Sequence, residues 1–240
     1  MAGGAMRLDK FLTEMNQGSR SEVKQLIKKG RICVNGEREK RPEYKVCPDS
    51  DCITLDEKEL VFVHYVYLMF HKPGGCVSAT EDHREKTVMD YIQEADCPRK
   101  KDLFPVGRLD KDTEGLLLLT NDGQLSHRLL SPKKHVEKKY YVLLQSKAGA
   151  KEQQMFKEGM DIGDEQKTLP ARLELLADGT EGYVYLIEGR YHQVKRMFQA
   201  CGNQVKYLKR LKMGSLTLDE KLKPGEYRHL TKEELEQLQK

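Results

Sequence analysis

No apolar run in the 240-residue sequence approaches the roughly 20 residues that a bilayer-spanning helix needs, and no charged-then-apolar leader opens it. A soluble, cytosolic protein is the expectation. The six cysteines, at 33, 47, 52, 76, 97 and 201, form no C-x-x-C pair and have no histidine at ligand spacing, so zinc patterns fail and scattered buried thiols are expected. A P-loop, a G-x-G-x-x-G fingerprint and the zinc-deaminase signature are also missing. Neither a metal nor a nucleotide cofactor is expected. Met1 to Ala5 read as a loose tail ahead of Met6, outside the fold.

With 38% hydrophobic residues there is material for a core, and 33% charged residues against the usual figure of about 25% imply a very wet exterior. The net charge is only +4, but it is unevenly spread. Met6 to Val46 carries eleven Lys/Arg against six Asp/Glu, and Arg190 to Lys212 carries seven basic residues and no acidic one. Two basic regions suggest two places that meet phosphate, against the alternative of two solvated faces.

Ser19-Arg20-Ser21-Glu22 has the form of a capping box, with Val23, Leu26 and Ile27 as the apolar side and Gly30 as the stop. The four-residue spacing of Arg20, Lys24 and Lys28 aligns three cations on one side of that helix, suited to tracking RNA phosphates. Ile32 to Val34 then enters an Asn35-Gly36 hairpin. An acidic stretch follows, and a linker is placed at 59–64.

The second region opens with an apolar strand, Tyr65 to His71, and a turn at Lys72-Pro73-Gly74-Gly75. Gly107 to Gly115 is a polar loop bearing Arg108, Asp110 and Asp112, followed by the apolar strand Leu116 to Thr120. Such a loop either presents a side chain to a cleft or is a surface turn whose aspartates cap local backbone. Asp122 is placed to cap a helix running to about Leu130, with Ser131-Pro132 stopping it. Further strands are expected at 138–144, 171–176 and 183–187, with helices near 151–160, at 190–201 and, behind a Thr231–Glu234 capping box, at the end of the chain. The pattern predicts an α+β protein with a mixed, mostly antiparallel sheet and flanking helices.

Two resemblances sharpen this reading. Arg7 to Leu12 with Ser19 to Gly36 resembles the small RNA-binding domain named after ribosomal protein S4, expected here over 6–58. Gly107-Arg108-Leu109-Asp110, continuing through Thr113 and Gly115 to Asn121-Asp122-Gly123, resembles the signature of the pseudouridine synthases that carry such a domain. Glu137-Lys138-Lys139-Tyr140 and Glu188 to Met197 resemble the later family motifs and come in the expected order, with Lys139 where Thr is usual. The resemblance implies a catalytic domain over 65–240, acting as a monomer. The implied reaction isomerises a uridine within RNA: its bond from ribose to N1 is broken, the base turns, and it rejoins through C5.

Asp110 matches the family's essential aspartate, and Tyr140 its active-site tyrosine, as a stacking platform or an aid in removing the C5 proton. Arg108 matches the residue that fills the gap left by an extruded nucleotide, its alternative being a salt bridge to Asp112. Taking about 100° per residue along 190–201, Lys195 borders the apolar face and Arg196 points away from it. Lys195 is thus expected to partner Asp110, in agreement with the family pattern, and Arg196 to meet phosphate. Lys138, Lys206, Lys209 and Arg210 are expected as RNA-backbone contacts. The Gln193 to Met197 motif, Ser131-Pro132 with His135, and Pro224 to Arg228 look most like the group's enzymes for small-subunit (16S) ribosomal RNA, implying uridine 516 as target. The nearest alternative is a 23S uridine. A non-catalytic RNA-binding assembly factor and a glycosidic hydrolase using two carboxylates are the readings of other classes.

Overall fold

The computed structural model describes residues 4–94, 97, 99–131 and 134–239. The expected tail at Met1 to Gly3 and the helix stop at Pro132 lie outside them. The chain divides into two compact units, the first holding the described residues up to Val66 together with those of Ile92–Asp102.

In the first unit, β1 (Met6–Arg7) leads into α1 (Leu8–Glu14) and α2 (Arg20–Lys28), followed by β2 (Ile32–Val34), β3 (Glu37–Arg38), β4 (Lys45–Val46), β5 (Ile53–Leu55) and β6 (Lys58–Glu59). The capping box forms: Ser19 Oγ accepts from the Glu22 amide, and Glu22 accepts from the Ser19 amide at 2.7 Å. Asn35 and Gly36 both take positive φ, 53° and 86°, as the two-residue hairpin between β2 and β3 requires. Phe11 and Leu12 of α1 meet Val23 and Ile27 of α2 and Ile32 and Ile53 of the strands in one core. The pattern alone puts the end of this unit near residue 58, but β6 pairs with β5 and Phe62 stacks on Phe11 at 5.4 Å. The described residues of 92–102 return to it as well, Asn16 donating to the Glu94 carbonyl at 3.0 Å. The Phe11–Phe62 and Asn16–Glu94 contacts join residues distant in sequence, beyond the reach of local patterning.

The second unit is a nine-stranded sheet built from β7 (Tyr67–Lys72), β8 (Phe104–Pro105), β9 (Glu114–Thr120), β10 (Lys138–Leu144), β11 (Arg172–Leu175), β12 (Glu181–Leu186), β13 (Val205–Met213), β14 (Leu216–Thr217) and β15 (Tyr227–His229). Its main order is β11-β12-β10-β13-β9-β7-β15, and among the described residues of these strands the β13–β9 pair is the parallel one. Helices α3 (Gly123–Leu130), α4 (Ala150–Glu158), α5 (Gln193–Ala200) and α6 (Lys232–Gln239) complete it. Asp122 caps α3 by accepting from the Leu125 amide at 3.0 Å. Strands β10 and β12 alternate buried and half-buried residues, whereas β7 and β9 are buried almost throughout. Strands β10 and β12 therefore have one core face, and β7 and β9 have two.

The longest strand, β13, is not evident in the sequence because four of its nine residues are Lys or Arg, which hides its alternation. Helix α5 starts at Gln193 rather than Arg190, since His192 adopts a left-handed conformation with φ 47°. The thiol expectation also needs correcting: only Cys76 and Cys97 are buried, and Cys52 is exposed.

Gly115 has a structural task where β9 meets β13. Its φ is +105°, and a Cβ there would lie 2.2 Å from the Arg210 carbonyl oxygen. Gly115→Ala should destabilise the protein by about 3 kcal/mol, measured by urea unfolding, because both backbone strain and overlap must be relieved.

Candidate active site

The Gly107–Gly115 loop is held from below by a buried lysine. Lys72 is 0% exposed, and its Nζ donates to the carbonyls of Pro73 (3.0 Å), Lys111 (3.2 Å) and Thr113 (2.9 Å). Burial pushes its pKa down, with the nearby carboxylates only partly offsetting this. Ser78 adds a two-way clamp, its hydroxyl donating to the Leu109 carbonyl at 2.9 Å and accepting from the Leu109 amide at 3.0 Å. The Gly75 amide donates to Lys111 O at 2.7 Å, and Thr113 N closes a turn onto Asp110 O at 3.1 Å. The loop is thereby fixed on the end of β7 instead of lying as a free surface turn.

The second half of the site comes from the segment before α5. The Arg190 guanidinium donates to the carbonyls of Gln166 (2.6 Å) and Lys167 (2.7 Å), while Gln193 Nε2 donates to Glu188 at 2.6 Å. These bonds fix the turn that delivers His192 and Lys195. Lys195 Nζ lies 3.2 Å from Asp110 Oδ2 and 2.5 Å from Asp112 Oδ1, and His192 Nε2 is 3.5 Å from Asp110 Oδ1. Burial works against the charge on Lys195, but its bonds to Asp112 and Asp110 prevail and raise its pKa. For Asp112, burial pushes upward while Lys195 pulls harder, leaving the carboxyl below its usual range.

A cavity of about 70 Å³ is lined by Asp110, Arg108 and Thr113 from the loop, Tyr140 from β10 and Leu208 from β13. Tyr140 is buried, and the Thr113 hydroxyl is enclosed with no partner among the described residues. His192 and Lys195 also line a neighbouring polar groove of about 670 Å³ with Gln145, Gln199 and Asn203.

Asp110, Tyr140, Lys195 and Arg108 thus come together as the sequence suggests. Arg108 is exposed and forms no ion pair among the described residues, Asp112 being taken by Lys195. Other expectations need revision. Arg196 is turned back onto its own unit, donating to Asp164 at 2.6 Å and to Tyr191 O at 3.1 Å, because the 162–164 turn offers it acceptors. Lys138 is buried and donates to Val136 O at 3.0 Å. Arg210 is 3% exposed, with Nε donating to Leu116 O at 2.8 Å, so it braces the β9–β13 junction. Lys206 is exposed on β13, whereas Lys209, one residue beyond the cavity-lining Leu208, borders a different cavity. In the first unit Arg20, Lys24 and Lys28 are all exposed, and Arg20 and Lys24 line a groove with Lys10 and Thr13.

Sequence reasoning missed Lys72, Thr113 and His192. For Lys72 a signal existed, a cation ending an otherwise apolar strand. For His192 it was a histidine within a motif to which no role had been attached.

The description RNA pseudouridylate synthase belongs to a family model that matches residues 66–200, and an S4-domain model matches 6–52. The chain belongs to the RNA pseudouridylate synthase family. An RNA pseudouridine synthase of Bacillus subtilis is 48% identical, with 96% of this chain and 97% of that protein covered. The ribosomal small subunit pseudouridine synthases A of Vibrio cholerae and Escherichia coli are 43% and 42% identical, each with 96% of this chain and 98% of theirs covered. A crystal structure of a pseudouridylate synthase superposes with a TM-score of 0.68 at 40% identity, covering 97% of this chain and 99% of that one. The protein is thus an RNA pseudouridine synthase with an N-terminal S4 domain, and the Asp110 cavity lies within its synthase region.

The strap beneath the loop yields a test. Lys72→Met should lower kcat by about 10²-fold, since a loosened loop misplaces Asp110, while the unfolding midpoint falls by only a few degrees. Turnover is read as tritium released from RNA labelled at uridine C5. An unchanged kcat would show that the strap does not position the reacting groups.

Proposed function

We propose that this synthase converts a uridine of small-subunit (16S) ribosomal RNA, at position 516, to pseudouridine, working as a monomer in the cytoplasm. The observation that carries the substrate assignment is the identity of 42 to 43% over nearly the full length with enzymes named for the small subunit. In this reading the target nucleotide leaves its stack, Arg108 occupies the gap, and the uracil enters the cavity between Asp110 and Tyr140. The ionised Asp110 attacks the sugar or the base, or stabilises the cationic sugar, as the N1 bond breaks, and any bond that it forms is broken again to free the carboxylate by the time C5 is joined to the sugar. The detached base turns and bonds through C5, the C5 proton departs, and N1 regains a proton. Lys195 Nζ, 3.2 Å from Asp110 Oδ2, sets a fixed positive charge beside the reacting carboxylate. The polar groove beside His192 receives flanking RNA.

The decisive experiment treats ribosomal RNA from a strain lacking the protein with a pseudouridine-specific label and locates the stop that disappears. Loss of a stop in 23S RNA, with every 16S stop retained, would overturn the substrate assignment.

Arg20, Lys24 and Lys28 are proposed to follow RNA phosphates. The Arg20→Gln/Lys24→Gln/Lys28→Gln variant should lower the slope of log affinity against log salt by about 2 to 3, at the usual 0.7 to 0.9 per phosphate contact. The chemical rate on saturated enzyme should hold. An unchanged slope in a fluorescence anisotropy titration would remove these residues from the interface.

A further inference from the structure

The sheet of the second unit has another cavity, of about 740 Å³, whose lining includes His71, Lys139, Lys209, Lys212 and Lys223. It lies on the face away from Asp110. On β13, Leu208 lines the catalytic cavity and Lys209 this one, and on β12 Leu186 and Tyr183 divide in the same way. Successive strand residues point to opposite faces. Of the segments that resemble family motifs, Lys139 and Pro224 reach this cavity.

Two observations indicate its ligand. None of the four lysines takes part in an ion pair among the described residues; of the two carboxylates in the lining, Asp219 is bound by Arg228 at 2.7 Å, and Glu220 leaves the lysines in excess. The Lys139 ammonium lies over the Tyr183 ring at 4.0 Å, which leaves the ammonium groups of Lys209, Lys212 and Lys223 without a side-chain partner among the described residues, an arrangement that suits phosphate. The second observation is His71, only 3% exposed, whose Nδ1 lies 2.6 Å from the Leu222 carbonyl oxygen. A carbonyl only accepts, so Nδ1 carries the proton and Nε2 of the neutral ring is a bare acceptor. That Nε2 is buried with no partner among the described residues. Burial holds the imidazole pKa down, and the Lys209 charge adds to the effect, which keeps the ring neutral and Nε2 an acceptor.

A ligand that satisfies both halves carries negative charge for the lysines and a hydrogen-bond donor for His71. We propose that this cavity binds a ribose-phosphate stretch of single-stranded RNA, the lysines holding phosphates and His71 Nε2 accepting from a ribose 2′-hydroxyl. The cations come from β10, β13 and the segment before β15, a spread that suits successive phosphates better than one isolated ion. The 2′-hydroxyl is the donor that RNA has and DNA lacks. A uridine-free strand binds as well as any other, so the site is independent of the catalytic assignment.

The test follows the His71 ring by NMR in the full-length protein, its resonance identified by its loss in His71→Asn. That variant keeps an N–H for the Leu222 carbonyl. The probes are an adenosine RNA hexamer, its 2′-deoxy counterpart, adenosine monophosphate and inorganic phosphate. The RNA hexamer should shift the His71 signal saturably, and the deoxy hexamer should bind about tenfold more weakly because Nε2 stays unsatisfied. The Lys139→Gln/Lys212→Gln/Lys223→Gln variant, altered only at accessible side chains, should lose the shift. Adenosine monophosphate matching the hexamer in affinity would reassign the site to a free nucleotide. Equal affinity for the two hexamers, the same shift from phosphate alone, or no saturable shift with RNA would each overturn the proposal.

Discussion

Asp110→Asn should abolish isomerisation, with turnover reduced by about 10³-fold or more, while RNA affinity stays within about twofold. The amide keeps the size of the carboxylate, and its one oxygen can still accept from Lys195, so the loop has no steric reason to move. What it loses is the negative oxygen that attacks or stabilises the sugar. The two readouts are tritium release from C5 and anisotropy with the same RNA. A variant that retained turnover would remove Asp110 from the chemistry, and one that lost binding in parallel would make it a docking residue. The same pair of measurements addresses the non-catalytic assembly factor, because a pure binder gains nothing from a carboxylate facing a polyanion. The glycosidic hydrolase reading needs carboxylates on opposite sides of a sugar. Here Asp110 and Asp112 share one ammonium, on the same side.

Lys195→Met should cost about 10²- to 10³-fold in kcat, since it removes the fixed positive charge nearest to Asp110. It also alters the dependence of stability on pH in a defined direction. Asp112 is held below its ordinary pKa of 3.8, so its pairing with Lys195 stabilises the fold above that pH and is lost as pH falls through the lower, folded value. Lys195 is raised above 10.5, so its share is complete below that pH and is lost as pH rises through the folded value. The stability difference between wild type and Lys195→Met should therefore be widest between about pH 4 and 10 and close at both extremes. Urea unfolding across that range measures it. A pH-independent difference would mean that the methionine acts through packing alone. The exposure of Asp112 keeps the pair's contribution small, so the kinetic effect should far exceed the change in stability.

Local order was legible in the sequence because its causes act over three or four residues. The Ser19–Glu22 box, the Asn35-Gly36 hairpin and the Asp122 cap are each a side chain or a φ preference answering its immediate neighbours. The apolar stripe of α5 shows which of its faces meets the core, whereas β10, Lys-Lys-Tyr-Tyr-Val-Leu-Leu, alternates in burial and not in residue type. Helical geometry alone separated Lys195 from Arg196, and the Asp110 and Tyr140 motifs marked their positions. Contacts spanning many residues left no such local trace. The Lys195–Asp112 bond joins positions 83 apart and the Lys72–Thr113 bond positions 41 apart, so only the folded sheet selects these partners. Which cations stay free was settled in the same way. Arg196, Lys138 and Arg210 resemble Lys206 in sequence, but the fold places carbonyls or a carboxylate beside the first three and water beside the fourth. A donor's partner is whatever the tertiary structure brings within about 3 Å, and neither composition nor periodicity encodes that distance.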